Sequence, residues 1–353
     1  MDPSERTCKL LTEHCQKYPD LQITDLFKFL FQSSFGCEHM VSSLDFVTDY
    51  IRRESETCVD SQTLTDALDG AYSRVHFSYL KQGLGLSTLA KLFFLSAKSE
   101  PDGKNELLQK LKIARGMVAE GKLPFSVEDF DLAVKAWEVD GYPAVHHSEV
   151  FREKYKPSYR VVADKYVTFL PIFAKIDKSL ENGNVILAIE GGSAAGKSTL
   201  GEMLESIYDC TVFHMDDFFL RPEQRTKERF AEVGGNVDRE RFLEEVLIPL
   251  NRGESVNYRR FDCSTFTIKA PELITPKRLT VIEGAYSMHP ELADFYDISV
   301  FLDVSEETQK KRIEKRNSKE MAKRFFNEWI PLERTYFEKM QVKERCDVCI
   351  KIK

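Results

Sequence analysis

The apolar positions of the first 180 residues recur at the spacing of amphipathic helices. In LQITDLFKFLFQSSFG, the apolar residues that share one helical face are Ile23, Leu26, Phe27, Leu30 and Phe31. The pattern predicts a helix that ends near Gly36, since glycine readily adopts the backbone conformation that terminates helices. The segment SSLDFVTDYI begins with Ser42 and Asp45 in a capping-box-like arrangement, and SVEDFDLAVKAWEVDGYP begins in a similar way at Ser126.

A last long helix of this region is predicted over YRVVADKYVTFLPIFAKIDKSLENG, residues 159–183. We expect a kink at Pro171, because proline lacks the N–H that the helix ladder needs and clashes with the preceding turn. No fixed-period repeat runs through the region, which argues against a solenoid. The sequence therefore predicts an all-α domain over residues 1–180.

The pattern changes after residue 180, where short apolar runs alternate with helical segments. The five runs are VILAIE (185–190), TVFHM (211–215), LTVIE (279–283), ISVFLD (298–303) and VCIKI (348–352). Short apolar runs separated by helices predict a mostly parallel sheet that is covered by helices on both faces. We therefore expect an α/β domain over residues 181–353, preceded by the all-α domain.

Composition and charge narrow the classes of function. The 353 residues are 42% hydrophobic and 30% charged, as in an ordinary globular protein with room for two domains. A net charge of −7 argues against a nucleic-acid partner. The N-terminus lacks a signal-peptide pattern, and the run LAKLFFL is far short of the roughly 20 residues that a membrane helix needs. Eight scattered cysteines are typical of a protein that keeps its thiols reduced, so we expect a cytoplasmic protein. We also expect a small-molecule substrate, and we leave homo-oligomer formation open.

The segment GGSAAGKST carries the G-x-x-x-x-G-K-S spacing of a phosphate-binding loop. Its residues are Gly191, Gly192, Ser193, Ala194, Ala195, Gly196, Lys197, Ser198 and Thr199. Small residues allow consecutive backbone N–H groups to turn toward phosphate oxygens, and the following helix directs its positive end at them. Lys197 can reach the β- and γ-phosphates, and the Ser198 hydroxyl can bind Mg²⁺. The loop also stands between a predicted strand and a predicted helix, so we predict a nucleoside triphosphate site.

Phosphate-binding loops occur in proteins with many different activities, so other motifs in the sequence are needed to identify the activity. The chain has no NKxD segment of the kind that reads a guanine base and no LSGGQ-like signature of an ABC ATPase. Small-molecule kinases are the large class that remains.

Two acidic positions follow predicted strands of the α/β domain. Glu283 ends LTVIE, where a carboxylate can bind a metal ion, and Asp303 ends ISVFLD as a second candidate; either can instead cap the next turn. In FHMDDFFLRPEQR, Asp216 and Asp217 stand together at the end of an apolar run. Because successive side chains of a strand point to opposite faces, we expect these two acids to have different surroundings.

The order and spacing of GGSAAGKST, HMDDFF, VIEGAYS and VFLDVSEETQKKRIEKR resemble the uridine kinase and phosphoribulokinase family, which also includes a pantothenate kinase type. The resemblance covers residues 185–353. It implies a P-loop NTPase fold with ATP and Mg²⁺ as cofactors. It further implies that Asp216 takes the proton from the acceptor hydroxyl and lies near Mg²⁺, and that Glu283 is the family's strand-end glutamate.

The family also closes a lid over the phosphates with arginines from the helix after the fourth strand. QKKRIEKRNSKEMAKRF offers Arg312 and Arg316 on one helical face, with Arg324 further along. The alternative is a solvated basic face. Phosphoryl transfer requires positive charge around the transferred group, so one or two lid arginines are expected among these.

Residues that bind the acceptor are predicted from the position of segments along the chain. By the resemblance, Asp238 in EVGGNVDRERF falls where the family binds a sugar-like acceptor. The substrate candidates further along the chain are Tyr258, Arg260, Phe261 and Asp262, and Asp217 either supports its loop or contacts the acceptor. YRRFDC lacks the family's aspartate-aromatic pair followed by histidine, which counts against a pyrimidine nucleoside. A pocket with Arg221, Arg225, Arg259 and Arg260 would suit an anionic acceptor, and exposed arginines are the alternative.

We therefore expect an ATP- and Mg²⁺-dependent kinase that phosphorylates a hydroxyl of a nucleoside or sugar-like metabolite. The competing hypothesis is a nucleotide-responsive regulator, in which the α/β domain binds ATP and the helical domain binds a partner. An acceptor base at Asp216 argues against that hypothesis, because a pure sensor has no use for one. A nucleic-acid end kinase is a third and weaker alternative, given the acidic net charge.

Overall fold

The computed structural model describes residues 2–37, 41, 43–58, 63–97 and 103–352. The chain divides into two compact units, Met1–Leu170 and Pro171–Lys353. The division precedes the predicted boundary near residue 180 and falls at the start of the helix Leu170–Leu180. Among the described residues, no helix combines the length and the apolar character that crossing a bilayer would require.

Helices dominate the first unit, as predicted. They are α1 (Pro3–Lys17), α2 (Ile23–Phe35), α3 (Leu44–Ser55), α4 (Leu86–Ala97), α5 (Gly103–Ala119), α6 (Val127–Val139), α7 (Glu149–Tyr155) and α8 (Asp164–Val167). Helix α2 ends at Gly36, whose φ of 63° lies in the left-handed region that glycine tolerates. Ser126 caps α6 by accepting a hydrogen bond from the Asp129 N–H. The cap of α3 is Ser43 rather than Ser42, which lies outside the described residues.

A three-stranded antiparallel sheet inside this unit was not predicted. Its strands are β1 (Thr65–Ala67), β2 (Tyr72–His76) and β3 (Tyr159–Ala163), with β2 in the centre. The prediction of a long helix from residue 159 is therefore wrong: the chain runs as β3, then as α8, and resumes a helix only at Leu170. Strand β2 is buried along its whole length and β3 nearly so, which removes the apolar–polar alternation that identifies a strand.

A buried hydrogen-bond network connects α2 with the start of α7. The Asp25 carboxylate accepts hydrogen bonds from His147 Nδ1 at 2.9 Å, the Ser148 N–H at 3.0 Å and the Ser148 hydroxyl at 2.7 Å. Burial alone would raise the pKa of Asp25, but these hydrogen bonds outweigh it and lower the pKa to about 2. Burial lowers the pKa of His147 to about 4 against the opposing effect of Asp25. Neutral His147 therefore donates to Asp25 through Nδ1, and Nε2 accepts from the Tyr159 hydroxyl at 2.7 Å.

We expect the first unit to lose stability as the pH falls from about 6.5 to about 4. In this interval the unfolded chain protonates His147, whose unfolded pKa is about 6.5, while the folded unit keeps it neutral. Because the unfolded state then binds more protons, the free energy of unfolding decreases with decreasing pH, by about 3 kcal/mol over the interval. Urea unfolding at pH 7.0 and about pH 4.5, followed by Trp137 fluorescence in a Trp329→Phe background, measures the effect. A matched His147→Asn variant should show a smaller pH dependence, and equal dependence in both proteins would contradict the assignment.

The second unit is an α/β domain, as predicted. Its strands are β4 (Val185–Gly191), β5 (Cys210–His214), β6 (Val256–Tyr258), β7 (Phe261–Asp262), β8 (Thr267–Ile268), β9 (Glu272–Ile274), β10 (Leu279–Glu283), β11 (Ile298–Val304) and β12 (Val348–Ile352). Five of them form one parallel sheet in the order β12-β11-β4-β10-β5, and these are the five predicted runs. Two small antiparallel ribbons, β6–β9 and β7–β8, stand apart from this sheet.

Helices surround the parallel sheet. They are α9 (Leu170–Leu180), α10 (Lys197–Ile207), α11 (Lys227–Ala231), α12 (Arg239–Phe242), α13 (Ile248–Asn251), α14 (Pro290–Ala293), α15 (Glu306–Arg316), α16 (Lys319–Arg324), α17 (Ile330–Lys339) and α18 (Val342–Arg345). Short π-helical stretches join α12 to α13 and α16 to α17. A proline, Pro249 or Pro331, follows each stretch, and widening the preceding turn relieves the clash that proline makes inside a regular helix.

Candidate active site

The phosphate-binding loop connects β4 to α10, which is the context that the motif requires. Gly191 begins it with a φ of 150°, and an added Cβ would lie 2.7 Å from the Leu302 carbonyl oxygen, so glycine is needed there. Gly196, with a φ of 100°, ends the loop. The Lys197 ammonium donates hydrogen bonds to the carbonyl oxygens of Gly191 at 2.8 Å and Gly192 at 3.1 Å. The loop therefore curls around the lysine that would bind phosphate.

Glu283 lies beside the first turn of α10. The Ser198 hydroxyl donates to Glu283 Oε1 at 3.1 Å, and His214 Nδ1 lies 2.6 Å from the same oxygen. His214 and Glu283 meet because they are register partners of the parallel strands β5 and β10. The hydrogen bond to Glu283 raises the pKa of His214. His214 was not among the predicted site residues, although its position at the end of the second predicted strand of the α/β domain could have indicated it.

Asp216 and Asp217 have different surroundings, but the physical reason differs from the predicted one. Strand β5 ends at His214, and both acids lie on a 3₁₀ turn, Met215–Phe218, rather than in a strand. Among the described residues, Asp216 has no hydrogen-bond or ion-pair partner, whereas Asp217 accepts the Tyr258 hydroxyl at 2.7 Å. Water reaches the Asp216 side chain, yet the surrounding protein desolvates it partly and raises its pKa; Lys197 opposes this effect and Glu283 reinforces it.

The oxygen atoms near Lys197 suit a hard divalent cation. Ser198 and Glu283 are in contact, and Asp216 interacts electrostatically with Glu283. Mg²⁺ is usually bound through one or two carboxylates, with the remaining ligands supplied by water and substrate phosphates. The described part of the chain contains no cluster of three or more histidine, cysteine or acidic side chains that could hold a metal on its own. The second candidate, Asp303, instead pairs with Lys343 at 2.6 Å.

Of the three predicted lid arginines, the structure brings one to the loop. Arg312 Nη1 donates to the Ala194 carbonyl oxygen at 3.2 Å. Arg316 is exposed at the end of α15. Arg324 pairs with Glu328 at 3.3 Å and lies over the Trp329 ring. Arg312 is thus the arginine that lies next to the phosphate loop.

Two side chains, one on α15 and one on α17, form hydrogen bonds with the phosphate loop and were not predicted from the sequence. Gln309 Nε2 donates to the Ser193 carbonyl oxygen at 2.9 Å. The Glu333 carboxylate accepts the Ser193 N–H at 2.8 Å and the Ser193 hydroxyl at 2.6 Å. Burial raises the pKa of Glu333, and Lys197 opposes this. No motif marks these positions in the sequence, because they reach the loop only through the fold.

A second buried acid lies directly before the loop. Glu190 accepts the Gly191 N–H at 2.8 Å, the Met288 N–H at 3.1 Å and the Tyr336 hydroxyl at 3.1 Å. Burial raises the pKa of Glu190 to about 7 against these hydrogen bonds and Lys197. Glu190 therefore connects β4, the segment after β10 and α17.

The predicted acceptor residues fall into two groups. Asp217, Tyr258 and Arg260 form one cluster, because Arg260 Nε lies 3.6 Å from Asp217 and its guanidinium covers the Tyr258 ring. Phe261 is buried, with the Arg225 guanidinium 5.9 Å from its ring centre. Asp262, which was predicted beside it, accepts the Ser264 N–H and hydroxyl.

Asp238, which was predicted to bind the acceptor, is buried and interacts with protein groups. It is buried, caps α12 by accepting the Arg241 N–H at 3.3 Å, and has Arg241 Nε 3.5 Å from its other oxygen. Arg241, which was not predicted, also donates to the carbonyl oxygens of Asp217 at 3.0 Å and Arg259 at 2.7 Å. Arg241 therefore joins Asp238 to the two segments that carry the acceptor cluster.

Each arginine of the predicted basic pocket has a protein partner. Arg221 pairs with Glu223 at 3.3 Å, and Arg225 donates to the Leu220 carbonyl oxygen at 3.0 Å. Arg259 pairs with Glu245, and Arg260 pairs with Asp217 as described above. An anionic acceptor would therefore have to compete with these partners.

Comparison with known proteins relates part of the second unit to a family. The model of the phosphoribulokinase / uridine kinase family matches residues 186–324. This segment begins in β4 and includes the phosphate loop, the Asp216 turn, Glu283 and Arg312. The matched segment lies within the second unit and confirms the resemblance to this family found in the sequence.

Individual relatives match a similar share of the chain. A phosphoribulokinase of Synechocystis is 27% identical over 133 residues, which cover 35% of this chain and 39% of the relative. The chloroplastic phosphoribulokinase of Arabidopsis thaliana is 25% identical over 147 residues, covering 35% of this chain and 37% of the relative. The chain thus matches well under half the length of these relatives. A solved structure of a possible uridine kinase from Bacillus stearothermophilus, 22% identical, covers 48% of this chain and 89% of its own, with a TM-score of 0.38.

Proposed function

We propose that the second unit transfers the terminal phosphoryl group of ATP, bound with Mg²⁺, to a hydroxyl of a small nucleoside or sugar-like metabolite. The observation that carries this proposal is Asp216, a carboxylate without a described partner that lies within electrostatic reach of Lys197 and Glu283. A nucleotide-binding site alone has no need of a free carboxylate beside the phosphate-binding lysine. A kinase needs one to accept the proton of the attacking hydroxyl.

The residues of the loop would bind and orient the nucleotide. Loop N–H groups and Lys197 bind the phosphate oxygens. To do so, the Lys197 ammonium gives up its hydrogen bonds to the Gly191 and Gly192 carbonyl oxygens. Ser198, Glu283 and Asp216 would supply oxygen ligands for Mg²⁺, and the ion would neutralise phosphate charge when bound. Arg312, which donates to the Ala194 carbonyl oxygen of the loop, would add positive charge beside the transferred group. Arg316 stays a predicted second lid residue.

The acceptor would approach from the side of the Asp216 turn. Asp216 takes the proton from the acceptor hydroxyl, so that the oxygen attacks the terminal phosphorus in line with the leaving group. The cluster of Asp217, Tyr258 and Arg260 offers a carboxylate, a hydroxyl and a guanidinium next to this turn. We assign acceptor binding to this cluster together with Phe261, and give Asp238 a supporting role through Arg241.

A screen for acceptor-dependent ATP use tests the proposal. The full chain is incubated with ATP, Mg²⁺ and a library of nucleosides, sugars and other small alcohols, and ADP formation is measured. We expect one chemical class to stimulate ADP formation and to yield a phosphorylated product by mass spectrometry. A Lys197→Met variant should lose the stimulation, because the β- and γ-phosphates lose their fixed cation. If ATP binds and no acceptor stimulates turnover, while a protein partner binds only the ATP-loaded chain, the regulator hypothesis replaces the kinase.

A further inference from the structure

Ser193 is held by two helices that follow it far along the chain. Gln309 on α15 binds its carbonyl oxygen, and Glu333 on α17 binds both its N–H and its hydroxyl. The Glu333 side chain is buried, with 5% of its surface exposed. A backbone N–H of a phosphate loop thus donates to a protein carboxylate rather than facing solvent.

The Glu333 carboxylate contacts the phosphate loop at Ser193 and also interacts with two charged side chains of the site. Its electrostatic interactions are with Lys197, which attracts it, and with Asp216, which repels it. These are the residues that the proposed function places at the terminal phosphate and the acceptor hydroxyl. The carboxylate and the terminal phosphoryl group of a nucleoside triphosphate are both anions, and both would use the Ser193 N–H and the field of Lys197.

We propose that Glu333 is a specificity-determining residue that opposes the terminal phosphoryl group, so that a triphosphate binds only by displacing the Glu333 carboxylate from Ser193. The inference rests on the proposed function, since it assumes that the loop binds a nucleotide. A diphosphate lacks the terminal group and leaves the contact between Glu333 and Ser193 in place. Glu333 therefore lowers the affinity for the triphosphate relative to the diphosphate.

Displacement of Glu333 has a structural consequence for the lid segment. Glu333 lies in the first turn of α17, directly after the π-helical stretch Phe325–Trp329 that joins α17 to α16. The Trp329 ring packs against Phe325 at 4.4 Å between ring centres. Release of Glu333 from Ser193 frees this end of α17 from the loop, so a triphosphate changes the surroundings of Trp329 and a diphosphate does not.

Binding measurements on Glu333→Gln test the proposal. Isothermal titration with the β,γ-imido analogue of ATP and with ADP, each with Mg²⁺, gives the two dissociation constants. We expect the substitution to tighten binding of the analogue about tenfold, because a charge repulsion is removed, and to change ADP binding less than about twofold. Ser193→Ala removes the hydroxyl that anchors Glu333 and should act in the same direction by about threefold. Glu338→Gln, an exposed position on the same helix, is the matched control and should change neither constant.

Fluorescence of Trp329 gives the second readout, with Trp329→Phe identifying its contribution against that of Trp137. The imido analogue should change the Trp329 signal of the native chain and ADP should not. Equal effects of Glu333→Gln on the two nucleotides, or no effect on either, overturn the inference and leave the kinase proposal standing. If the native chain binds neither nucleotide, the proposed function itself fails.

Discussion

Replacement of Asp216 by asparagine is expected to lower kcat of the acceptor-dependent reaction about 10³-fold. The amide cannot accept the proton of the attacking hydroxyl, and general base catalysis contributes about 10²- to 10⁴-fold. Since Asp216 has no hydrogen-bond partner among the described residues, the substitution breaks no contact that holds the turn. The thermal midpoint and the dissociation constant of ADP measured without metal should stay close to those of the native chain.

The neighbouring Asp217→Asn substitution is the matched comparison for this result. An asparagine at position 217 can still accept the Tyr258 hydroxyl through its carbonyl oxygen, but it loses the charge that faces Arg260. We expect a higher KM for the acceptor and a much smaller change in kcat than for Asp216→Asn. The base assignment fails if Asp216→Asn keeps native turnover, or if the two variants lose kcat equally.

The sequence predicted the parallel sheet because its strands are buried on both faces. Such strands appear as continuous apolar runs between helices, and the five runs agree with the observed strands to within a residue at either end. The sheet of the first unit was not predicted, because its central strand is buried but is not a continuous apolar run. Strand β2 is buried throughout but contains Arg74 and His76, so it forms no apolar run, and its partner β3 lies far along the chain.

The candidate site was predictable where its chemistry is local in sequence. The phosphate loop and the strand-end acid Glu283 follow from spacing and from the position of strands. Glu333 and Gln309 were missed because they contact Ser193 across 140 and 116 residues of chain. Sequence reasoning thus found the groups that meet at strand ends, and it could not find the groups that later helices bring to the loop.

Arg241 is another residue of this kind, and its replacement by methionine is expected to lower the free energy of unfolding by about 3 kcal/mol. Methionine keeps much of the apolar contact with Phe218, over which the guanidinium lies at 4.0 Å. It removes the hydrogen bonds to the carbonyl oxygens of Asp217 and Arg259 and leaves the buried Asp238 carboxylate without its nearest cation. Urea unfolding followed by Trp329 fluorescence in a Trp137→Phe background measures the loss in the second unit.

A double-variant cycle separates the charge from the packing. Asp238→Asn keeps a side-chain oxygen for the cap of α12, so alone it should cost about 1 kcal/mol. In the Arg241→Met background the same substitution should instead restore about 1 kcal/mol, because it removes a buried charge that keeps only the more distant Arg221, 3.8 Å away, as a cation partner. Additive losses would show that Arg241 and Asp238 do not depend on each other. Arg241 also positions the segments that carry Asp217 and Tyr258. Arg241→Met should therefore raise the acceptor KM whether residue 238 is aspartate or asparagine. If Asp238→Asn restores stability but not the KM, the role of Arg241 in stability is separate from its role in acceptor binding.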